Sequence, residues 1–242
     1  MKTTRVEFAV TKESQMTRTE QTREYETELV TLMREPLFHA IAHGDLDTVR
    51  KLLKTRIINV DTRDTLGDGP LHTACENGHI HVAKFLLENG ADVNARDNLG
   101  HTPLHVACTN TRTAIVPFLI EKGADVEARD GDGRTPLHVV CWHGRSDITR
   151  LLLECGADVN AENNLGNTPL HIVCIVGNAD IARLLLEHGA NPEARDKKWR
   201  TPLHRALEIP VGNHGREEII DLFREHCPEA VLEAFCGMEM KP

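Results

Sequence analysis

The chain is poor in the residues that fill large cores and build catalytic sites. Aromatic residues make up only 4% of the sequence although 40% of it is hydrophobic, a balance that suits thin layers of small aliphatic side chains. Ser14 and Ser146 are its two serines, and neither lies in the elbow motif of a serine hydrolase. The glycines form no phosphate-binding loop of the Walker type. We therefore expect no enzymatic activity and no cofactor.

Long apolar runs and an excess of positive charge are also missing. The longest purely apolar stretch, residues 172–176, is far shorter than the ~20 residues that span a bilayer. The N-terminus is not followed by the apolar segment of a signal peptide. A formal net charge of −9 disfavours binding to nucleic acids or anionic membranes. We expect an intracellular protein, cytoplasmic or nuclear, that is a monomer and has no nucleic-acid partner and no membrane insertion.

A tetrapeptide repeated every 33 residues organises the sequence. Thr-Pro-Leu-His begins at Thr102, Thr135, Thr168 and Thr201, and a variant begins at Gly69. A period in this range is typical of stacked repeat units. Threonine is a good helix N-cap and proline fits the first helical position, so each copy predicts the start of a helix.

The remainder of each unit is equally regular. A second apolar helix ends at Gly-Ala-Asp-Val, as at Gly90, Gly123 and Gly156, and an Asp-x-x-Gly turn follows. With Thr-Pro-Leu-His-x-Ala at this spacing, the chain resembles the ankyrin repeat family. The resemblance covers about residues 36–228 as six repeats and implies an all-α solenoid with a concave face. We predict three segments: a partly disordered N-terminal segment with a capping helix (1–35), the repeat domain (36–228), and a C-terminal capping helix with a tail (229–242).

Histidines and cysteines follow the repeat and therefore have a structural explanation. The resemblance implies that the motif histidine bonds to the backbone and to the threonine hydroxyl. Equivalent positions in stacked helices lie about 8–10 Å apart, too far for a disulfide. The cysteines spaced by 33 are thus expected to be small packed residues in a reduced compartment: Cys75, Cys108, Cys141 and Cys174. Neither His79–His81 nor His226–Cys227 has a second pair at zinc spacing, so we expect no metal; a metal- or redox-linked role is the weaker alternative.

Departures from the repeat carry further expectations. Trp199 replaces a turn glycine and should force a different loop shape there. Pro117 enters a second helix near its start, where a missing N–H costs little. Residues 209–213 are an insertion. Asn94 and Asn160 look like substrates of an ankyrin asparaginyl hydroxylase, as the resemblance implies.

The partner-binding residues are expected on the concave face, at loop tips and late in the first helices. Trp142, Ile175 and Val176 fall at matching places on adjacent repeats, as an apolar patch typical of interfaces; the alternative is that they pack onto their own or a neighbouring repeat. Arg195, Lys197, Lys198, Arg200 and Arg205 form a basic cluster that could bind an acidic segment or simply be solvated. The predicted site residues are Leu99, His101, Asp132, Arg134, Trp142, His143, Leu165, Ile175, Val176, Lys197, Lys198, Trp199, Arg200 and Arg205.

The sequence therefore predicts a non-enzymatic module that binds a partner protein through its concave groove, mainly in repeats four to six. In the alternative, the array is a passive scaffold or adaptor and residues 1–35 carry the recognition. The partner, its pathway and its source are not specified by any motif.

Overall fold

The repeat units expected from the 33-residue period are present as pairs of helices. The computed structural model describes residues 18–109, 114–210 and 214–228. This part of the chain holds twelve α-helices and no strand: α1 (Arg18–Ala42), α2 (Leu46–Lys54), α3 (Pro70–Glu76), α4 (Ile80–Glu88), α5 (Pro103–Thr109), α6 (Ile115–Glu121), α7 (Pro136–His143), α8 (Ser146–Glu154), α9 (Pro169–Val176), α10 (Ala179–Glu187), α11 (Pro202–Leu207) and α12 (His214–His226).

The helices stack in chain order as six antiparallel pairs. The first helices α3, α5, α7, α9 and α11 form one layer, and the second helices form the other. The predicted boundary at residues 35 and 36 falls inside α1, which continues through Pro36. The N-terminal segment and the first helix of repeat one are thus a single helix. Residues 1–17 of the predicted N-terminal segment lie outside the described residues, and so do the predicted C-terminal capping helix and tail at 229–242.

The core is one continuous layer of small aliphatic side chains between the two helix layers. It includes the four cysteines spaced by 33, each with 0% of its surface exposed: Cys75, Cys108, Cys141 and Cys174. The prediction that they pack as small apolar residues is confirmed. Burial raises the pKa of each thiol, so these side chains stay protonated and unreactive.

The motif histidines connect each repeat to the next. In repeat three, His105 Nδ1 accepts the backbone N–H of Thr102 at 3.2 Å and lies 2.9 Å from the Thr102 hydroxyl, as the family resemblance implied. Because Nδ1 accepts, the proton of the neutral ring lies on Nε2. Nε2 then donates to the backbone carbonyl of Arg134, in the following repeat, at 3.0 Å. Nε2 of His72, His138 and His171 likewise donates to a backbone carbonyl of the following repeat.

Five loops, here called fingers, lead into the first helices of repeats two to six. They are the turns 64–68, 97–101, 130–134, 163–167 and 196–200, each closed by a bond from the first N–H to the last carbonyl. Neighbouring fingers are joined through their backbones. The N–H of Gly131 donates to the Leu99 carbonyl at 2.8 Å, and the N–H of Lys197 donates to the Leu165 carbonyl at 3.0 Å. The fingers therefore form a hydrogen-bonded ladder along one edge of the solenoid.

The prediction of a different shape for the last finger is wrong. Trp199 adopts φ 62°, a left-handed value like the 75° of Gly166 in the preceding finger, and its N–H closes the same turn onto the Asp196 carbonyl at 2.8 Å. In the inner fingers a Cβ would strike the next finger, since a Cβ at Gly166 would lie 2.9 Å from the Lys197 nitrogen. No described finger follows Trp199. Its side chain therefore has room, and only the cost of the left-handed backbone remains.

Two other departures are absorbed locally. Pro117 is the third residue of α6, within the first turn, where the backbone N–H has no helical partner anyway; the expectation is confirmed. Arg56 follows α2 at the place where a glycine follows the second helix of repeats two to five, and it takes φ 59°. Part of the insertion after α11 lies outside the described residues.

Two glycines, Gly166 inside a finger and Gly156 after a second helix, allow the close approach of the fingers to be tested by stability measurements. Gly156 and Gly166 both have left-handed φ, but a Cβ at Gly156 meets nothing within 4 Å. Gly156→Ala should cost about 1 kcal/mol through backbone strain alone. Gly166→Ala should cost at least ~1 kcal/mol more, because its Cβ meets rigid backbone. Urea denaturation of the two variants measures the difference, and equal losses would refute the close-approach argument.

The buried motif histidines should make the stability of the fold depend on pH. Burial lowers the pKa of the motif histidines, to about 4 for His138. A ring whose pKa is lower in the folded chain binds its proton more readily when unfolded, so its contribution is complete above about pH 6.5 and declines as pH falls towards 4. The urea midpoint should fall across this window, and less steeply in His138→Gln. A flat profile would contradict the account.

Candidate functional site

A groove runs along the concave side, between the fingers and the first helices. It has a volume of about 590 Å³ and receives side chains mainly from repeats three to five. Two rows of residues 33 apart form its helical wall: Val106, Val139, Ile172 and Arg205 in one row, and Glu76, Thr109, Trp142 and Ile175 in the other. The wall is apolar at its centre and polar at both ends. The sequence placed the site mainly in repeats four to six, about one repeat further along.

The predicted apolar patch extends over two adjoining surfaces. Trp142 is 56% exposed and lines the groove, so it does not fold down over its own repeat. Ile175 also lines the groove but is half-buried against the core. Val176 is 39% exposed and faces a separate, shallower depression beside Gly177. Trp142 lines both and joins them, so it shares the groove with Ile175 and the depression with Val176.

The fingers supply the polar wall of the groove, and its charges are already paired. Arg134 Nε donates to the buried carboxylate of Asp130 at 2.7 Å and also contacts Asp132 at 3.2 Å. His101 Nδ1 lies 2.8 Å from Asp97, and its Nε2 lies 3.7 Å from Asp130. Burial alone would raise the pKa of Asp130, but hydrogen bonds and the charge of Arg134 outweigh it and lower the pKa. Asp130 is thus an anion held between two fingers.

The finger before repeat five is uncharged, unlike its neighbours. Asn163 replaces the turn aspartate, and its side-chain oxygen accepts the backbone N–H groups of Leu165 and Asn167 at 2.9 and 3.1 Å. Asn167 is only 4% exposed, and its Oδ1 accepts no hydrogen bond from any described residue. Arg205 Nε is also buried, and it donates no hydrogen bond to any described residue. Both side chains line the groove, where burying an unpaired polar atom costs about 1–3 kcal/mol.

The other predicted residues are distributed over the rim and the last finger. His143 and Leu165 line the groove with Trp142, and Leu165 is 66% exposed at a finger tip. Burial and the nearby arginines lower the pKa of His143, which favours its neutral form. Six of the predicted site residues do not line the groove: Leu99, Val176, Lys197, Lys198, Trp199 and Arg200.

The basic cluster is partly neutralised by acidic neighbours. Arg200 binds Asp196 at 2.8 Å and Glu208 at 2.9 Å, and Arg205 binds the other oxygen of Glu208 at 2.7 Å. Lys197 and Lys198 are exposed and form no ion pair with a described residue. Of the five cations in the cluster, the two lysines and Arg195 thus remain for an external anion.

Several groove residues were absent from the predicted site. Val106, Val139 and Ile172 form the apolar wall, and the motif histidines His105 and His138 lie behind it. The sequence contained the signal, because Val106, Val139 and Ile172 each directly follow a motif histidine.

Asn94 and Asn160, predicted as modification sites, join consecutive repeats. Asn94 Oδ1 accepts the backbone N–H of Asp125 at 2.8 Å, and its Nδ2 donates to the Gly123 carbonyl at 3.2 Å. Asn160 makes the same two bonds with Asn191 and Gly189. Both side chains are therefore part of the inter-repeat hydrogen-bond network.

Metal and membrane chemistry find no support in the described ranges. There, no three His, Cys, Asp or Glu side chains come together at metal-binding distance. None of the helices described has both the length and the apolar character needed to cross a bilayer.

Comparison with known families agrees with the helix pairs, histidine bonds and fingers. A family model described as "Ankyrin repeats (3 copies)" matches residues 18–97 and 94–163, and one described as "Ankyrin repeats (many copies)" matches residues 152–206. The chain belongs to the ankyrin repeat family. Ankyrin repeats are generally protein–protein interaction modules.

Similar curated proteins share only short segments with this ankyrin repeat chain. Palmitoyltransferase akr1 of Schizosaccharomyces pombe is 46% identical over 23% of this chain and 9% of its own length. Serine/threonine-protein kinase TNNI3K of Mus musculus is 44% identical over 20% of this chain and 6% of its own. Ankyrin repeat domain-containing protein 49 of Bos taurus is 43% identical over 23% of this chain and 24% of its own. Because the chain spans under a quarter of each, their activities do not transfer to it.

The exposure of the groove residues generates a stability prediction. Trp142→Ala should cost less than about 1 kcal/mol of unfolding free energy, because this side chain is mostly solvated in the isolated repeat array. Val140→Ala, two residues earlier and fully buried, should cost about 1–3 kcal/mol. Chemical denaturation distinguishes the two; a larger loss for Trp142→Ala would place that indole in the core.

Proposed function

We propose that this ankyrin repeat chain binds a partner protein through the concave groove, with Trp142 as its apolar anchor. The observation that carries the proposal is the exposure of this indole inside a groove whose centre is otherwise aliphatic. Large exposed aromatics in concave apolar surroundings are typical of interaction hot spots. A scaffold or adaptor role inside the cell would follow from such binding.

The polar groups of the groove favour a partner surface that is largely apolar and uncharged. Arg134 and Arg205 are already paired with carboxylates, so they offer little attraction to an acidic segment. The groove spans about three repeats, roughly 25–30 Å, which would accommodate a helix of about 16–20 residues.

The proposal is tested with two matched pairs of substitutions. Trp142→Ala with Leu165→Ala removes two exposed apolar groups from the groove. Leu66→Ala with Ile57→Ala removes two exposed apolar groups from positions outside the groove and away from the last finger. Partners are captured from the source cells with each full-length variant and quantified by mass spectrometry.

We expect proteins that are captured by the native chain and by the outer pair but lost, by about tenfold or more, with the groove pair. Thermal melts of both variants should stay close to the native one. If the outer pair loses the same proteins and the groove pair keeps them, the groove is not the binding surface.

A second candidate surface lies on α1. Tyr25, Leu29 and Leu32 are large, exposed and spaced four and three residues apart, so they form one stripe on the helix. This stripe supports the alternative in which recognition resides in residues 1–35 and the repeats act as a passive scaffold.

The two surfaces are separated by one further variant. Replacing Tyr25, Leu29 and Leu32 together by Ala should leave capture unchanged if the groove is the binding site. Loss of the captured proteins in this variant, with an unchanged circular-dichroism melt, would instead assign recognition to α1.

A further inference from the structure

The last finger (196–200) ends the ladder with its bonding groups open. In each inner finger the tip carbonyl receives an N–H from the next finger: Leu66 from Asn98, Leu99 from Gly131, Asp132 from Asn164, and Leu165 from Lys197. The next acceptor in this series is the Lys198 carbonyl. No residue of the described ranges donates to it.

An arginine directly precedes three of the four inner fingers and also the last finger, whereas Glu162 precedes the finger 163–167. Arg63, Arg96 and Arg129 each donate to a carbonyl of the finger that follows them. Each also donates to the backbone carbonyl of the residue just before the next finger, which is Arg96, Arg129 and Glu162 respectively. Arg195 is the equivalent residue of the last finger. It makes no hydrogen bond to a described residue, and its guanidinium lies 5.7 Å from the centre of the Trp199 ring. The last finger thus keeps open the acceptor that every inner finger uses, and the donor that three of them use, to hold a neighbour.

Trp199 determines what kind of neighbour fits. Each inner finger has glycine at this position, and a Cβ at Gly100 or Gly166 would lie 2.9 Å from a backbone nitrogen of the next finger. Trp199 has that Cβ and a ring that is 75% exposed. A further ankyrin finger, including one from a second copy of this chain, is therefore excluded at the usual distance. The nitrogen that meets this Cβ is the one that donates the ladder bond, so any neighbour must shift to fit. A single extended segment is not held in place by a repeat of its own, so it can shift by a few tenths of an ångström and keep its N–H on the Lys198 carbonyl.

Charge specifies the segment further. Lys197 and Lys198 are exposed and form no ion pair within the described part of the chain, whereas Arg200 is held by Asp196 and Glu208. Arg195, Lys197 and Lys198 are thus three exposed cations within three residues of the open carbonyl, in a protein whose formal net charge is −9. A carboxylate-bearing segment gains charge-assisted bonds here and is attracted at a distance.

We propose that the last finger is a second docking surface, which binds an extended acidic segment of a partner protein by continuing the finger ladder. One N–H of the segment bonds to the Lys198 carbonyl, one of its carbonyls accepts from Arg195, and its carboxylates pair with Lys197 and Lys198. Its remaining surface contacts the Trp199 ring. This is strand addition at an open edge, with backbone bonds for affinity and charge for selectivity. It does not depend on the concave groove.

The test uses a displayed library of random 12-residue peptides and the full chain carrying Trp142→Ala and Leu165→Ala, so that the groove cannot dominate selection. We expect enriched peptides to contain at least two Asp or Glu residues close together. Their affinity for the native chain should fall by about tenfold or more with Lys197→Glu and Lys198→Glu. The control pair, Lys51→Glu and Lys54→Glu on α2, makes the same change in net charge and should have little effect.

Backbone bonding is tested by methylating single amide nitrogens of a selected peptide. Methylation of one amide should weaken binding by about tenfold, and its two sequence neighbours should tolerate the change, because alternate N–H groups of an extended chain point to opposite sides. Peptides that are not acidic, that bind the lysine double variant equally well, or that tolerate methylation at every amide would overturn the proposal. So would displacement by a synthetic peptide of residues 229–242 that needs the same lysines, which would make the occupant this chain's own C-terminal segment.

Discussion

The hydrogen bond from each motif histidine to the next repeat is the interaction on which the rest of the structure depends. It fixes the ring in one tautomer, closes the helix start through Nδ1, and sets the distance to the following finger through Nε2. Because the bond recurs from repeat two to repeat five, the fingers come into register and can join backbone to backbone. The groove and the ladder are both consequences of that register.

Structural and functional positions separate cleanly within each repeat. The proline and leucine of the motif are buried in every copy, and its histidine is buried and bonded to the next repeat in repeats two to five. Residues that differ between copies lie on the groove and the fingers, where Trp142, Asn167 and Trp199 each depart from their counterparts. The repeat supplies a rigid frame, and the departures supply two surfaces of different chemistry: one apolar and concave, the other cationic and edge-like.

The sequence was sufficient for the fold because the period, the helix starts and the glycine stops all pointed to one architecture. It was less informative about the site. Exposure of Trp142 depends on the direction of one side chain, and the half-burial of Ile175 depends on a neighbouring repeat. The pairing of Arg200 and Arg205 with Glu208 joins residues whose relative placement no periodicity gives. Trp199 shows the limit most clearly, since its tolerance of a left-handed backbone follows from the space beside the last finger.

The central claim is that a protein partner covers Trp142 in the groove. It is tested most directly by the accessibility of this indole in a chain carrying Trp199→Phe, so that Trp142 is the single tryptophan. Acrylamide quenching of its fluorescence is measured with and without a purified partner. The account predicts that the partner lowers the quenching constant several-fold and shifts the emission to shorter wavelength. Unchanged quenching in a saturated complex would show that the partner binds elsewhere and would contradict the account.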